Sequence, residues 1–130
     1  MSALVLELKQ GETMIINGAV IRFKTRARLE LTTQSRFMFG KQIMEPHEAV
    51  TPAKRLYHDI QTLYVGPPEN RAAARTSAFA RIANFTNPVP FDDILTRIGA
   101  LIESENLFEA LKLARQLIRH EDQSLAVSAQ

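Results

Sequence analysis

The hydrophobic period of this chain changes once, and that change limits the fold more than any other feature. Before Met44-Glu45-Pro46 apolar residues alternate or sit in short branched runs; after it they recur at spacings of three and four. A period of two belongs to strands and one near 3.6 to helices. Strands first and helices afterwards predict an α+β fold, with a small antiparallel sheet of four or five strands and then about four helices.

The first block, residues 1–44, reads as follows. Leu4 to Leu8 is a short strand, and Gln10-Gly11 marks a turn. Thr13-Met14-Ile15-Ile16 is followed by Asn17-Gly18, a pair suited to the positive φ angles of a type I′ hairpin. From Ala19 to Lys24 the chain alternates, with Val20, Arg22 and Lys24 on one face and Ala19, Ile21 and Phe23 on the other. Arg28 to Thr32 alternates again, placing Leu29 and Leu31 inward, and Arg36 to Phe39 makes a fifth strand.

The helical block is expected over residues 45–122. Thr51-Pro52 supplies an N-cap and a proline at the first helical position. Ala53, Leu56, Tyr57, Ile60, Leu63 and Tyr64 form one stripe, stopped by Gly66-Pro67-Pro68. A second helix is predicted from Glu69 to about Phe85, with a break at Asn87-Pro88-Val89-Pro90. A third follows from about Phe91 to Ser104, with Asp92 and Asp93 in its first turn to suit the helix dipole. A fourth runs from about Asn106 to His120, burying Leu107, Phe108, Leu111, Ala114, Leu117 and Ile118. Lys112, Arg115 and Arg119 fall late in it, where cations suit the dipole. Residues 123–130 are expected to be a frayed tail.

Composition removes several functions. The 130 residues include no cysteine, which excludes disulfides, thiol catalysis and thiolate metal sites. No apolar run reaches the roughly 18–20 residues of a membrane span. Met1 to Glu7 carries no basic leader, so a cytoplasmic protein is expected. His47, His58 and His120 lack ligand spacing, and the five glycines are scattered singles rather than a phosphate loop. Neither catalysis nor a cofactor is expected.

The net charge of +2 hides a gradient. Residues 1–81 hold 12 basic and 7 acidic side chains, whereas residues 82–130 hold 4 and 7. Arg22, Lys24, Arg26, Arg28, Arg36 and Lys41 crowd into twenty residues beside one acid, Glu30. Cations on a strand face track a phosphate backbone, and aromatic side chains among them stack on unpaired bases. These six are the candidate RNA contacts. Phe37 and Phe39 lie between two of them, either as stacking rings or as core. Arg71, Arg75 and Arg81, with Lys54 and Arg55, form a weaker basic cluster, for which a solvated helix face is the plain alternative. The apolar faces of the last two helices suit self-packing, a homodimer seam or a helical partner, with Leu107, Leu111, Lys112 and Arg115 as candidate contacts.

Several strings resemble the FlbT family. They are Gly11-Glu12-Thr13-Met14-Ile15-Ile16-Asn17-Gly18-Ala19-Val20-Ile21, Lys41-Gln42-Ile43-Met44, Thr51-Pro52-Ala53-Lys54-Arg55-Leu56-Tyr57, and the run from Glu109 to Ile118. The likeness spans about residues 4–122. It implies a post-transcriptional regulator that binds the leader of flagellin messenger RNA and promotes its decay. It also implies pairing with a FlaF-like protein or with flagellin. Two departures stand out: Gln10 replaces a usual proline, and Phe39 replaces an arginine two positions before Lys41. The RNA contact then uses different residues, or this member relies more on protein partners. A fainter likeness to the small β-proteins of the carbon storage regulator family favours an RNA-binding sheet and a homodimer.

Overall fold

The computed structural model describes residues 4–85 and 88–128. It is α+β, with five strands followed by four helices. The strands are β1 Leu4–Leu8, β2 Thr13–Ile16, β3 Ala19–Arg22, β4 Ala27–Leu31 and β5 Phe37–Phe39. They form two antiparallel sheets rather than the one expected: β1 pairs with β4, and β3-β2-β5 make the other. The hairpin between β2 and β3 is the predicted one, with positive φ at both Asn17 (49°) and Gly18 (86°). Space at Gly18 is tight as well. A Cβ there would lie 3.3 Å from the Pro67 backbone, because the hairpin tip donates from Gly18 N to the Val65 carbonyl.

The side chains explain why there are two sheets. Leu6, Leu8 and Met14 are buried together, with Ile16, Phe23, Leu29, Leu31, Phe37 and Phe39 packed around them. This small core lies between the sheets. Ile15 and Met38, the alternate residues of β2 and β5, instead join the larger helical core. The three-stranded sheet is thus covered on both faces at β2 and β5, which accounts for the unbroken apolar run in β2. The β3 strand differs. All four of its residues are exposed, so neither of its two alternating faces is covered. Phe37 and Phe39 are partly buried in the small core, with ring centroids 6.3 Å apart.

The helices are α1 Pro52–Val65, α2 Arg71–Ala83, α3 Pro88–Glu103 and α4 Leu107–Ser128. Thr51 caps α1 as predicted, its hydroxyl accepting from Lys54 N at 3.3 Å. A long-range cap adds to it. The buried Glu121 carboxylate accepts from Ala53 N at 3.0 Å, placing a negative charge at the positive end of α1. Asp59 joins α1 to α2 by accepting from Arg81 at 2.6 Å and Ser77 at 3.0 Å. Arg75 joins α2 to the end of α3 through the Ile102 carbonyl and Glu103.

Three expectations need correction. α4 continues to Ser128 instead of ending near His120, so Lys112, Arg115 and Arg119 lie in mid-helix, out of reach of a terminal dipole. α3 begins at Pro88, which moves Asp92 and Asp93 beyond its first turn. Proline is tolerated in a first turn because those N–H groups have no helical acceptor, so Pro88 and Pro90 do not delay the start. Phe108, expected in the core, is 44% exposed. The proposed break at Asn87 and the last two residues of the predicted tail lie outside the described residues.

Candidate nucleic-acid interface

The six sequence-predicted cations separate into three places. Arg28 belongs to β4 of the two-stranded sheet, and Arg26 immediately precedes that strand. Arg28 stands across from Glu7 in the register, and Arg26 lies 3.6 Å from the same carboxylate. Val5, Glu7, Arg28 and Glu30 are all exposed on the outer face of β1 and β4, so that face carries both signs of charge. Arg22 ends β3, opposite Thr13 of β2. Across β2 from it comes Gly40, just after the Met14–Phe39 pair and about 10 Å away at two strand spacings. Lys41 follows. Arg22, Lys24 and Lys41 are exposed and make no ion pair among the described residues. Gly40 itself has φ +57°, and a Cβ there would come 2.9 Å from the Glu12 carboxylate.

Arg36 lies at the other end of β5. Its guanidinium sits 5.7 Å from the ring centroid of Tyr64 on α1. Tyr64 in turn packs on Phe108 of α4, centroids 5.9 Å apart and planes tilted by 39°. The Lys112 ammonium lies 4.8 Å above the Phe108 ring. Two rings flanked by a cation at each end, drawn from three parts of the chain, therefore run along one surface. The contact is one the sequence does not place together, because residues 36, 64 and 108 are far apart in the chain.

Two adjoining cavities continue this surface. The first, about 380 Å³, is lined by Met38, Gln42, Tyr57, Phe108, Leu111, Lys112, Arg115 and Arg119. The second, about 310 Å³, shares Gln42, Tyr57, Arg115 and Arg119 and adds Lys41 and Glu48. Together they form a trough between α4 and the segment after β5. Its cations are Lys41, Lys112, Arg115 and Arg119 and its acid is Glu48; Glu109, outside the lining, lies 3.1 Å from Lys112.

Tyr57 organises the floor. Its hydroxyl donates to the Gln42 carbonyl at 2.5 Å and accepts from Arg115 at 2.6 Å. The Arg115 guanidinium also lies 5.2 Å from the Tyr57 ring centroid. Burial pushes the Tyr57 hydroxyl above its ordinary value of 10.0, against the opposing charge and hydrogen bond of Arg115. At neutral pH the phenol keeps its proton, donates to Gln42 and holds the guanidinium in place.

The partner residues predicted on α4 divide. Leu107 and Leu111 are 3% and 4% exposed, so they are core leucines and not an open docking face. Lys112 and Arg115 are exposed and stand beside the trough. Sequence reasoning missed Phe108 and Arg119 as members of the site. The signal was present: 108, 112, 115 and 119 follow the 4, 3, 4 spacing of a single helix face. The weaker basic cluster on α2 is largely engaged within the fold, since Arg75 and Arg81 hold Glu103 and Asp59. Among the described residues there is no group of three or more His, Asp or Glu that could hold a metal, and no helix long and apolar enough to cross a membrane.

Comparison with known proteins supplies a family. The family model described as "Flagellar protein FlbT" matches residues 4–125. A protein of Agrobacterium fabrum named "Probable flagellum biosynthesis repressor protein FlbT" is 33% identical over 128 residues, covering 96% of this chain and 85% of that protein. One of the same name from Caulobacter sp. strain K31 is 35% identical over 127 residues, covering 94% and 95%. A third, from Chelativorans sp. strain BNC1, is 28% identical over 128 residues, covering 96% and 88%. No solved structure matches. The match over nearly the whole chain agrees with the motifs from Gly11 to Ile21 and from Thr51 to Tyr57, and the chain belongs to the FlbT family of flagellar proteins.

Proposed function

We propose that this protein represses flagellin synthesis after transcription. It binds the 5′ leader of flagellin messenger RNA as a single strand and promotes degradation of the message. The relatives' printed names support a repressor of flagellum biosynthesis. The observation that carries the RNA step is the set of exposed cations Arg22, Lys24 and Lys41, free of ion pairs among the described residues. Such groups exchange their counterions for phosphates, which favours binding and makes it sensitive to salt. Decay of the message then follows from blocked ribosome access or from delivery to a nuclease.

The test is affinity for a flagellin leader RNA across a salt series. Four phosphate contacts on a single strand give a log–log slope near −3, at about −0.7 each. A flat response, or no binding at low salt, rejects RNA. A second reading, an adaptor that binds flagellin or a FlaF-like helical protein without RNA, draws support from β3. That edge strand exposes Val20 by 70% and Ile21 by 40%, and a free edge of this kind accepts an added strand. Val20→Lys abolishing a flagellin complex while RNA affinity stays unmeasurable selects the adaptor.

A further inference from the structure

We infer that the trough along α4 is a base-stacking site for single-stranded RNA, with Phe108 as its platform. The inference rests on the RNA reading and assigns it a location other than the basic strands.

Phe108 is a large ring, 44% exposed, on a helix whose neighbouring leucines are fully packed. Tyr64 packs against it with the ring planes tilted by 39°, and the Lys112 ammonium covers the ring at 4.8 Å from its centroid. That cover is easily moved. Lys112 is exposed, and its other partner, Glu109, is exposed as well, with side-chain accessibilities of 58% and 59%. Solvent-exposed ion pairs of this kind hold weakly. A base sliding onto the ring displaces the ammonium toward the phosphate of the same nucleotide, so the lysine exchanges a ring and a carboxylate for a phosphate.

The adjoining cavity gives the base room, with Met38 and Leu111 as apolar walls. Beyond it the cations are spaced for a backbone. Lys112, Arg115 and Arg119 follow one face of α4, and from 108 to 119 the helix advances about 17 Å. Lys41 faces them from the segment after β5. Arg115 is already fixed by Tyr57 and costs little to order on binding. Glu48 is the acid at this end, and four cations outweigh it.

Rings with interleaved cations suit unpaired bases, because every base has a stacking face while a duplex hides it. An acidic protein segment would use the same cations but would not need the ring. Phe37 and Phe39, the sequence candidates for stacking, are turned into the small core.

The experiment uses the full chain and a fluorescent ten-nucleotide oligouridylate, alone and annealed to its complement. The wild type is expected to bind the single strand and to discriminate against the duplex. Phe108→Ala weakens single-strand binding about tenfold or more without altering the salt slope, since stacking is not ionic. Phe108→Tyr restores it. Lys112→Gln with Arg115→Gln lowers the slope by about 1.4, two contacts at about 0.7 each. Should Phe108→Ala misfold, 4-thiouridine crosslinking of the wild type decides, with adducts expected within residues 108–119. Adducts confined to residues 22–28, or Phe108→Ala binding RNA like the wild type, overturn the stacking site and leave the RNA reading standing. A wild type that binds no RNA defeats both. Competition by polyglutamate that is indifferent to Phe108 assigns the trough to an acidic protein and overturns the inference.

Discussion

The basic strands and the middle of α4 make opposite impressions in sequence and in space. Residues 22–41 hold six cations and one acid; residues 82–130 are net negative. In the folded chain Arg26 pairs with Glu7, Arg28 stands opposite the same Glu7 in the register, and Glu30 shares the face of Arg28. Three of the four cations of the acidic half, Lys112, Arg115 and Arg119, line one trough and are joined there by Lys41. The lesson is that charge per segment is a poor measure of potential at a surface. What matters is which cations find acids across a sheet and which collect on one helix face.

The comparison breaks most visibly if an apolar wall of the trough is removed. Leu111→Ala is expected to cost about 2–5 kcal/mol in denaturant unfolding, because the leucine is a buried core residue. Val20→Ala on the exposed β3 strand should stay within about 0.5 kcal/mol. Equal effects would mean that α4 is not packed as described.

A smaller effect comes from the far end of α4. Glu121→Ala leaves Ala53 N without its acceptor, and a loss of about 1–3 kcal/mol is expected. Because this contact ties α4 to α1, RNA affinity attributed to the trough should fall with it under conditions where the protein stays folded. Affinity that depends on Arg22 and Lys24 alone would not change.

Tyr57 provides a pH signature. Its raised value means that the folded state holds the phenolic proton more tightly than the unfolded chain. The associated stability is fully present below about pH 10 and is lost as pH rises through the folded value. Tyr57→Phe should remove that alkaline decline and also free Arg115, weakening RNA binding at neutral pH. An unchanged alkaline profile would show that Tyr57 is not the titrating group.

The smallest effect concerns the strands. The exposed Arg26–Glu7 pair contributes no more than about 0–1 kcal/mol, so Glu7→Gln should leave stability nearly unchanged. If the β1–β4 face touches RNA, removing this acid raises affinity; if the trough is the site, affinity stays the same. The measurement sharpens the contrast between the two regions at little risk to the fold.

Much of the architecture was legible because its causes are local. The Asn17-Gly18 turn, the Thr51-Pro52 start and the Gly66 stop each follow from backbone preferences of the residues themselves. The period change near Met44 separated strands from helices for the same reason. The end of α4 was misread because residues 121–128 carry no stop signal, and because the contact that buries Glu121 against the start of α1 spans 68 residues of sequence. The fate of Phe37 and Phe39 was undecided in sequence, since alternate residues of a strand face opposite sides and both sides of β5 are covered.

The sequence alone determined the order of elements, the hairpin, the first helix and the family, all of which rest on short-range preferences or on motifs kept in order along the chain. Only the tertiary structure decided which cations are neutralised, which phenylalanine is exposed, and that Arg36, Tyr64, Phe108 and Lys112 meet on one surface. The physical reason is that electrostatic potential and burial are set by neighbours in space, and here those neighbours lie tens of residues apart.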